Sequence, residues 1–286
     1  MIKAPFWQVD SFTTKPFKGN PAAVFILSDQ ISDELMQNIA TEMNLSETAY
    51  IVLRKNGNPL LRWFTPAFEI DLCGHATLAA AHIYLNECHP ELDQITFDTK
   101  VAGPLRVARN KEHYMMDMPA RPGKKIDLED IPTSILTALN VDEQPIEVYQ
   151  ARDLMLIYKN DKTIYTMQPD FHVLRNYKKI IVTAKSSDKH YDFISRFFCS
   201  EIGINEDPVT GSAHCTSGPY WAKAFQKNHL IAYQASNRGG ELILDIEKDR
   251  VNITGSAVTI FNGESRILVE LISVKQEKSL SWIKKY

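Results

Sequence analysis

Apolar positions along this chain change period repeatedly, from two to about 3.6 and back, and each change marks an element. Residues 6–12 alternate as a strand does, and residues 22–27 form a second β-like run behind the turn Gly19-Asn20-Pro21. Ser32 is placed to cap a helix in which Ile31, Leu35, Ile39 and Met43 trace one face and Asn44 marks the end. Residues 45–53 read as a half-buried strand that one carboxylate, Glu47, interrupts. A strand over 60–65 follows the turn signal Asn56-Gly57-Asn58-Pro59, and residues 77–87 have the Ala- and Leu-rich composition of a buried helix. Three short strands, near 95–99, 103–109 and 113–118, close the first half.

Two prolines and a glycine in residues 119–125 interrupt both periodicities and make this stretch the expected linker. The pattern then starts over: a helix near 128–139, strands near 146–149, 154–158 and 179–184, and a short helix near 171–177. A helix over 216–227 and closing strands between 230 and 271 complete it. Strands with one embedded helix, occurring twice, predict an α+β protein of two pseudo-symmetric domains, 1–118 and 119–286, each a curled antiparallel sheet around its helix. The extreme C-terminus is left free in this scheme to return to the first domain.

Composition narrows the partners. The 286 residues are 44% hydrophobic, enough for substantial cores, and 35 acidic against 32 basic side chains give a net charge of −3. No basic run suggests nucleic acid or an anionic membrane surface, and no apolar stretch is long enough to span a bilayer. The expected protein is soluble and cytoplasmic. Its cysteines, Cys73, Cys88, Cys199 and Cys215, lack C-x-x-C spacing and are expected reduced. Sets such as Cys73, His75, Cys88 and His89, or His214 with Cys215, lack the paired spacing of a zinc module, so no metal is expected.

Two polar glycine loops carry the candidate chemistry. Asp71-x-x-Gly74-His75-Ala76-Thr77 opens a helix in the first half, and Asp207-x-x-x-Gly211-Ser212-Ala213-His214 opens one in the second. Two helix N-termini directed at one cleft would offer backbone donors to a substrate carboxylate without an arginine clamp. That arrangement suits proton transfer at a carbon beside the carboxylate, with Glu47, His75 and Asp207 as the acids and bases. Read singly, Asp207 is more readily a helix cap before Pro208, and His214 a histidine satisfied within its own turn.

As a set, Gly19-Asn20-Pro21-Ala22, Asn44-Leu45-Ser46-Glu47-Thr48, Phe64-Thr65-Pro66 with Glu69 and Asp71, Cys73-Gly74-His75-Ala76-Thr77 and Glu206-Asp207-Pro208-Val209-Thr210-Gly211-Ser212-Ala213-His214 closely resemble the PhzF-like family of phenazine-biosynthesis isomerases. The resemblance implies a diaminopimelate-epimerase-like fold of two antiparallel half-barrels, each around a central helix, paired as a homodimer and working without cofactor or metal. It implies that Glu47 is the general acid/base, that His75 and Asp207 share the catalysis, and that Asn20, Gly74, Gly211, Ser212 and Ala213 bind a small carboxylate substrate. The related epimerases and racemases use two opposed cysteines; here Cys73 stands at the first position and Asp207 at the second. Two alternatives remain open at this point: a Cys73-assisted amino-acid epimerase or racemase, and a catalytically silent binding protein on the same fold.

Overall fold

The computed structural model describes residues 2–267, so the expected closing strands are described as far as Ile267 and residues 268–271 of that expectation lie outside. Strands β1 (Ile2–Ser11) and β2 (Asn20–Leu27) are antiparallel neighbours, and helix α1 (Asp33–Met43) crosses to β3 (Glu47–Val52), which runs parallel to β2. Strand β4 (Leu60–Phe64) and the short β5 (Glu69–Ile70) lead into helix α2 (Gly74–Ile83). Strands β6 (Gln94–Phe97), β7 (Leu105–Asn110) and β8 (His113–Pro119) form a meander. Then come β9 (Lys124–Ile126), α3 (Thr133–Ala138), β10 (Glu147–Gln150), β11 (Leu154–Tyr158), α4 (Asp161–Thr166) and α5 (Phe171–Leu174). The chain continues through β12 (Ile180–Lys185), β13 (Phe193–Cys199) and β14 (Ile204–Glu206) to helix α6 (Gly211–Phe225). Strands β15 (His229–Gln234), β16 (Gly240–Glu247) and β17 (Arg250–Ile267) end the described chain.

The order β2, α1, β3, β4, β5, α2 recurs as β11, α4 with α5, β12, β13, β14, α6, and in both copies the first two strands are parallel and the next is antiparallel. The half-barrels are therefore mixed rather than wholly antiparallel, because a helical crossover returns the chain in the same direction. A further parallel pair joins β13 to β15. Strand β17 threads both halves: its beginning lies between β16 and β8, and its remainder pairs with β1. The division at 118/119 is thus a proposal resting on the repeated element order, not on separate hydrogen-bonded sheets.

Burial explains the layers. Almost all of α2 is buried, and the largest apolar cluster surrounds both α2 and α6. Outside, α1 covers Phe25, Tyr50 and Phe64, while α3 to α5 cover Leu156, Val182 and Phe198. The α1 caps are as expected: Ser32 accepts from the Leu35 N–H, and Asn44 takes a left-handed turn at φ 49°. The expected helix over 128–139 is broken by Pro132 into a single turn, Leu128–Asp130, and α3. Strand β13 is an addition to the sequence-based elements, as is α4. No helix among the described residues is long and apolar enough to cross a membrane.

Candidate active site

Each half aims its glycine loop with the same device. On β4 the Arg62 guanidinium grips Glu69 by two parallel bonds, Nε to Oε1 at 2.7 Å and Nη2 to Oε2 at 2.8 Å. On β13 Arg196 grips Glu206 with the same two distances. Both guanidinium groups lie over a phenyl ring, Phe64 at 5.1 Å and Phe198 at 5.0 Å. Glu69 and Glu206 each stand five positions ahead of the glycine that opens the helix, Gly74 and Gly211. A methyl group added to either glycine would sit 3.5–3.7 Å from the other's Cα, so the two helix N-termini abut.

Asn20 joins the two loops. Gly19 enters at φ +64°, where a side chain would press to within 2.1 Å of the Ser11 carbonyl, and this bend turns Asn20 inward. Its Nδ2 lies 2.7 Å from Asp207 Oδ1, 2.9 Å from the Val209 carbonyl and 3.0 Å from His75 Nδ1. Two amide protons serve the two oxygens, which leaves a His75 Nδ1–H directed at the Cys73 sulfur 3.5 Å away. On the other edge of the ring, His75 Nε2 is 3.0 Å from Glu47 Oε2. These two atoms are close enough for an ion pair but misaligned for a hydrogen bond, so both remain buried without a hydrogen-bond partner. Asp207 also accepts from the Thr210 hydroxyl, and buried Gln234 fastens the loop by donating to the Asp207 carbonyl and accepting from the Thr210 N–H.

Burial alone would pull the His75 pKa down, but the Cys73 sulfur and the Glu47 carboxylate overcome it and hold His75 well above its usual value. Burial, and then Glu47, push the Cys73 thiol up, while the His75 imidazole beside it pulls it back down. Burial also pushes Asp207 up, with the imidazolium pulling it down and Glu47 pushing it further up. Glu47, Cys73 and His75 each present a donor atom within 4.8 Å of the others. Cys73 and Glu47 face opposite ring nitrogens of His75.

These groups line a cleft of about 370 Å³, the size of a small-molecule site. Glu47, Gly74, His75, Asp207, Gly211 and Ser212 border it, as does Cys73. Asn20 and Ala213 do not line it: the Asn20 amide N–H groups are taken by Asp207 and Val209, and Ala213 is buried in the first turn of α6. His214 stands apart too, with Nδ1–H donated to the Thr210 carbonyl at 2.8 Å and burial lowering its pKa to about 4. Two helix N-termini need no arginine to hold a carboxylate, yet Arg121, Arg152 and Lys179 border the cleft. One signal for Arg121 existed. Pro219 inside α6 has no N–H for the Cys215 carbonyl four residues back, and the Arg121 N–H takes that carbonyl at 2.8 Å. The expected linker is therefore tied down onto α6.

Comparison with known proteins places this geometry. Residues 9–263 match the PhzC-PhzF family, described as phenazine biosynthesis-like protein. An uncharacterized isomerase of Halalkalibacterium halodurans is 44% identical over 92% of this chain and 99% of its own. The crystal structure of a PhzF-family phenazine biosynthesis protein from Enterococcus faecalis superposes with a TM-score of 0.87 at 40% identity, covering 93% of this chain and 100% of that one. A probable proline racemase from Agrobacterium radiobacter, 9% identical with a TM-score of 0.58 over 93% of both chains, shares the fold alone. With its two glycine loops, its repeated half-barrels and a match running through nearly all of the described residues, this chain belongs to the phenazine biosynthesis-like family.

Proposed function

We propose that the protein is a cofactor-independent isomerase that shifts a proton on a small carboxylate substrate bound between its two halves. The observation that carries this is the buried Glu47–His75 pair, whose facing oxygen and nitrogen lack hydrogen-bond partners and border the cleft. A buried polar atom left open is expensive, and it becomes useful when a substrate completes its bonding. Glu47 removes a proton from the carbon beside the substrate carboxylate and returns it at a second carbon. The charge that develops is met by the first-turn N–H groups of α2 and α6 and by the imidazolium of His75. Asp207, fixed by Asn20 and Thr210, balances that imidazolium and serves as the second acid/base group. Gly74, Gly211 and Ser212 bind the substrate carboxylate; Asn20 acts through His75 and Asp207 as a positioning residue. The working unit in this reading is a homodimer, which sedimentation would test.

Cys73 has no thiol opposite. Aligned on the two glycines, its counterpart in the second loop is Thr210 rather than the Asp207 that the resemblance suggests, and its own pKa is raised. Inversion by two opposed thiols is therefore disfavoured, since it needs a base on each face of the carbon. Incubation with small carboxylates in heavy water tests the proposal: deuterium should enter carbon-bound positions of the true substrate. Glu47→Gln should lower that rate by about a thousandfold at unchanged folding. Undiminished exchange in Glu47→Gln would remove Glu47 from its role.

A further inference from the structure

The cleft holds more positive charge than one carboxylate requires. Arg152 is accounted for, because its Nη2 donates to Asp153 Oδ2 at 2.8 Å and to the Ser212 hydroxyl at 3.0 Å, orienting that hydroxyl at the mouth of α6. Arg121 and Lys179 are different. Both are half-buried, both line the cleft, and neither has a carboxylate within ion-pair distance among the described residues. Asp71 also borders the cleft, but it is exposed and does not pair with either. Arg121 is anchored by its own backbone to the Cys215 carbonyl of α6, and Lys179 by its carbonyl to the Leu154 N–H. Each guanidinium or ammonium is thus carried on a fixed backbone and left without an internal partner.

Resting on the isomerase reading above, we propose that the substrate is a small dianion: one carboxylate lies at the abutting N-termini of α2 and α6, and a second acidic group is held by Arg121 and Lys179. Half-buried cations without a partner lose solvation and gain nothing from the protein, whereas an anionic ligand in a partly dry cleft would bind them strongly. Arg121, Arg152 and Lys179 all come from the chain after residue 118, and Glu47 and His75 from before it, so the second acidic group would lie on the side of the cleft formed by the later half. A cleft of about 370 Å³ limits the substrate to a compact molecule.

Thermal-shift and calorimetric titration of the full chain test this with succinate, glutarate and adipate against butyrate, valerate and hexanoate. A phosphonocarboxylate, 3-phosphonopropionate, serves as a further probe. At least one dicarboxylate should bind roughly tenfold more tightly than its monocarboxylate counterpart. In the Arg121→Gln/Lys179→Gln double variant that advantage should vanish while the monocarboxylate affinity and the unliganded Tm stay as they were. Tighter binding of the phosphonate, lost in the same variant, would support the second anion and identify it as a phosphoryl group. Equal affinity for mono- and dianions in the wild-type protein, or an advantage that survives the double variant, would overturn the proposal while leaving the carboxylate cleft intact. Binding of none of these probes would instead sink the carboxylate cleft itself, and the dianion with it.

Discussion

The two glycine loops share a scaffold and differ in nearly every chemical group. Each follows a strand whose arginine forks onto a glutamate and stacks on a phenyl ring, and each opens a buried helix with a glycine. Aligned on those glycines, Ile70 in the first loop stands where Asp207 does in the second, Cys73 where Thr210 does, and His75 where Ser212 does. The matched forks give both loops the same aim, while one loop carries the imidazole and the other the carboxylate. A racemase that inverts a carbon needs matched bases on two faces, whereas a proton shift tolerates unlike loops, and unlike loops are what this protein has.

The largest effect should come from making the second loop as uncharged as Ile70 makes the first. Asp207→Asn should lower kcat/KM by about a thousandfold. In the wild-type protein the rate should fall as pH drops below about 6, where burial has moved the Asp207 carboxyl, and the variant should lack that acidic limb. A variant keeping both the rate and the limb would break the asymmetry.

Next come the two forks. Arg196→Met should cost about 3 kcal/mol in denaturant unfolding, because Glu206, only 16% exposed, would be left with no second cation among the described residues. Arg62→Met should cost less, about 2 kcal/mol, since Lys100 stays 3.0 Å from Glu69, which is itself 27% exposed. Equal losses would show that the forks do not differ in this way.

A smaller effect separates the imidazole from its counterpart Ser212. The folded-state pKa of His75 lies above its unfolded value, so the stability it adds is complete below about pH 6.5 and is lost as pH rises through the higher folded value. The wild-type Tm should therefore fall more steeply than that of His75→Gln between pH 7 and 10. Parallel profiles would place the imidazole outside the ion pair. The smallest effect belongs to Cys73→Ser, expected within about threefold of wild-type turnover, because a buried thiol whose pKa is pushed up is a poor base and a threonine stands opposite it.

Local chemistry was readable from sequence, and long-range chemistry was not. Ser32 and Asn44 delimit α1 because capping is decided within a few residues. The glycine loops were legible as loops, but the helices begin at Gly74 and Gly211 rather than at Thr77 and Thr216, since glycine is a poor helix former that only tertiary packing admits. Phe193–Cys199 shows no alternation because every residue of it is buried, and its central Arg196 hides a strand that the fork with Glu206 makes possible. Glu47 was visible as an anomaly in a β-like run. Arg152, Lys179 and Gln234 were not visible, because distance along the chain says nothing of which cations and amides the fold will gather.

The threading of β17 also bears on how the molecule responds to force. Ile2 and Ile267 face each other at one end of the β1–β17 ladder, and Ser11 and Ala257 at the other. Ser11 holds the His75 carbonyl at 2.8 Å. Traction applied at Ile2 and Ile267 therefore meets an antiparallel ladder in its unzipping direction, where bonds yield one pair at a time and at low load. The rupture front reaches the support of His75 only after the whole ladder has parted, so the end of the strand pair that yields first lies farthest from the glycine loop.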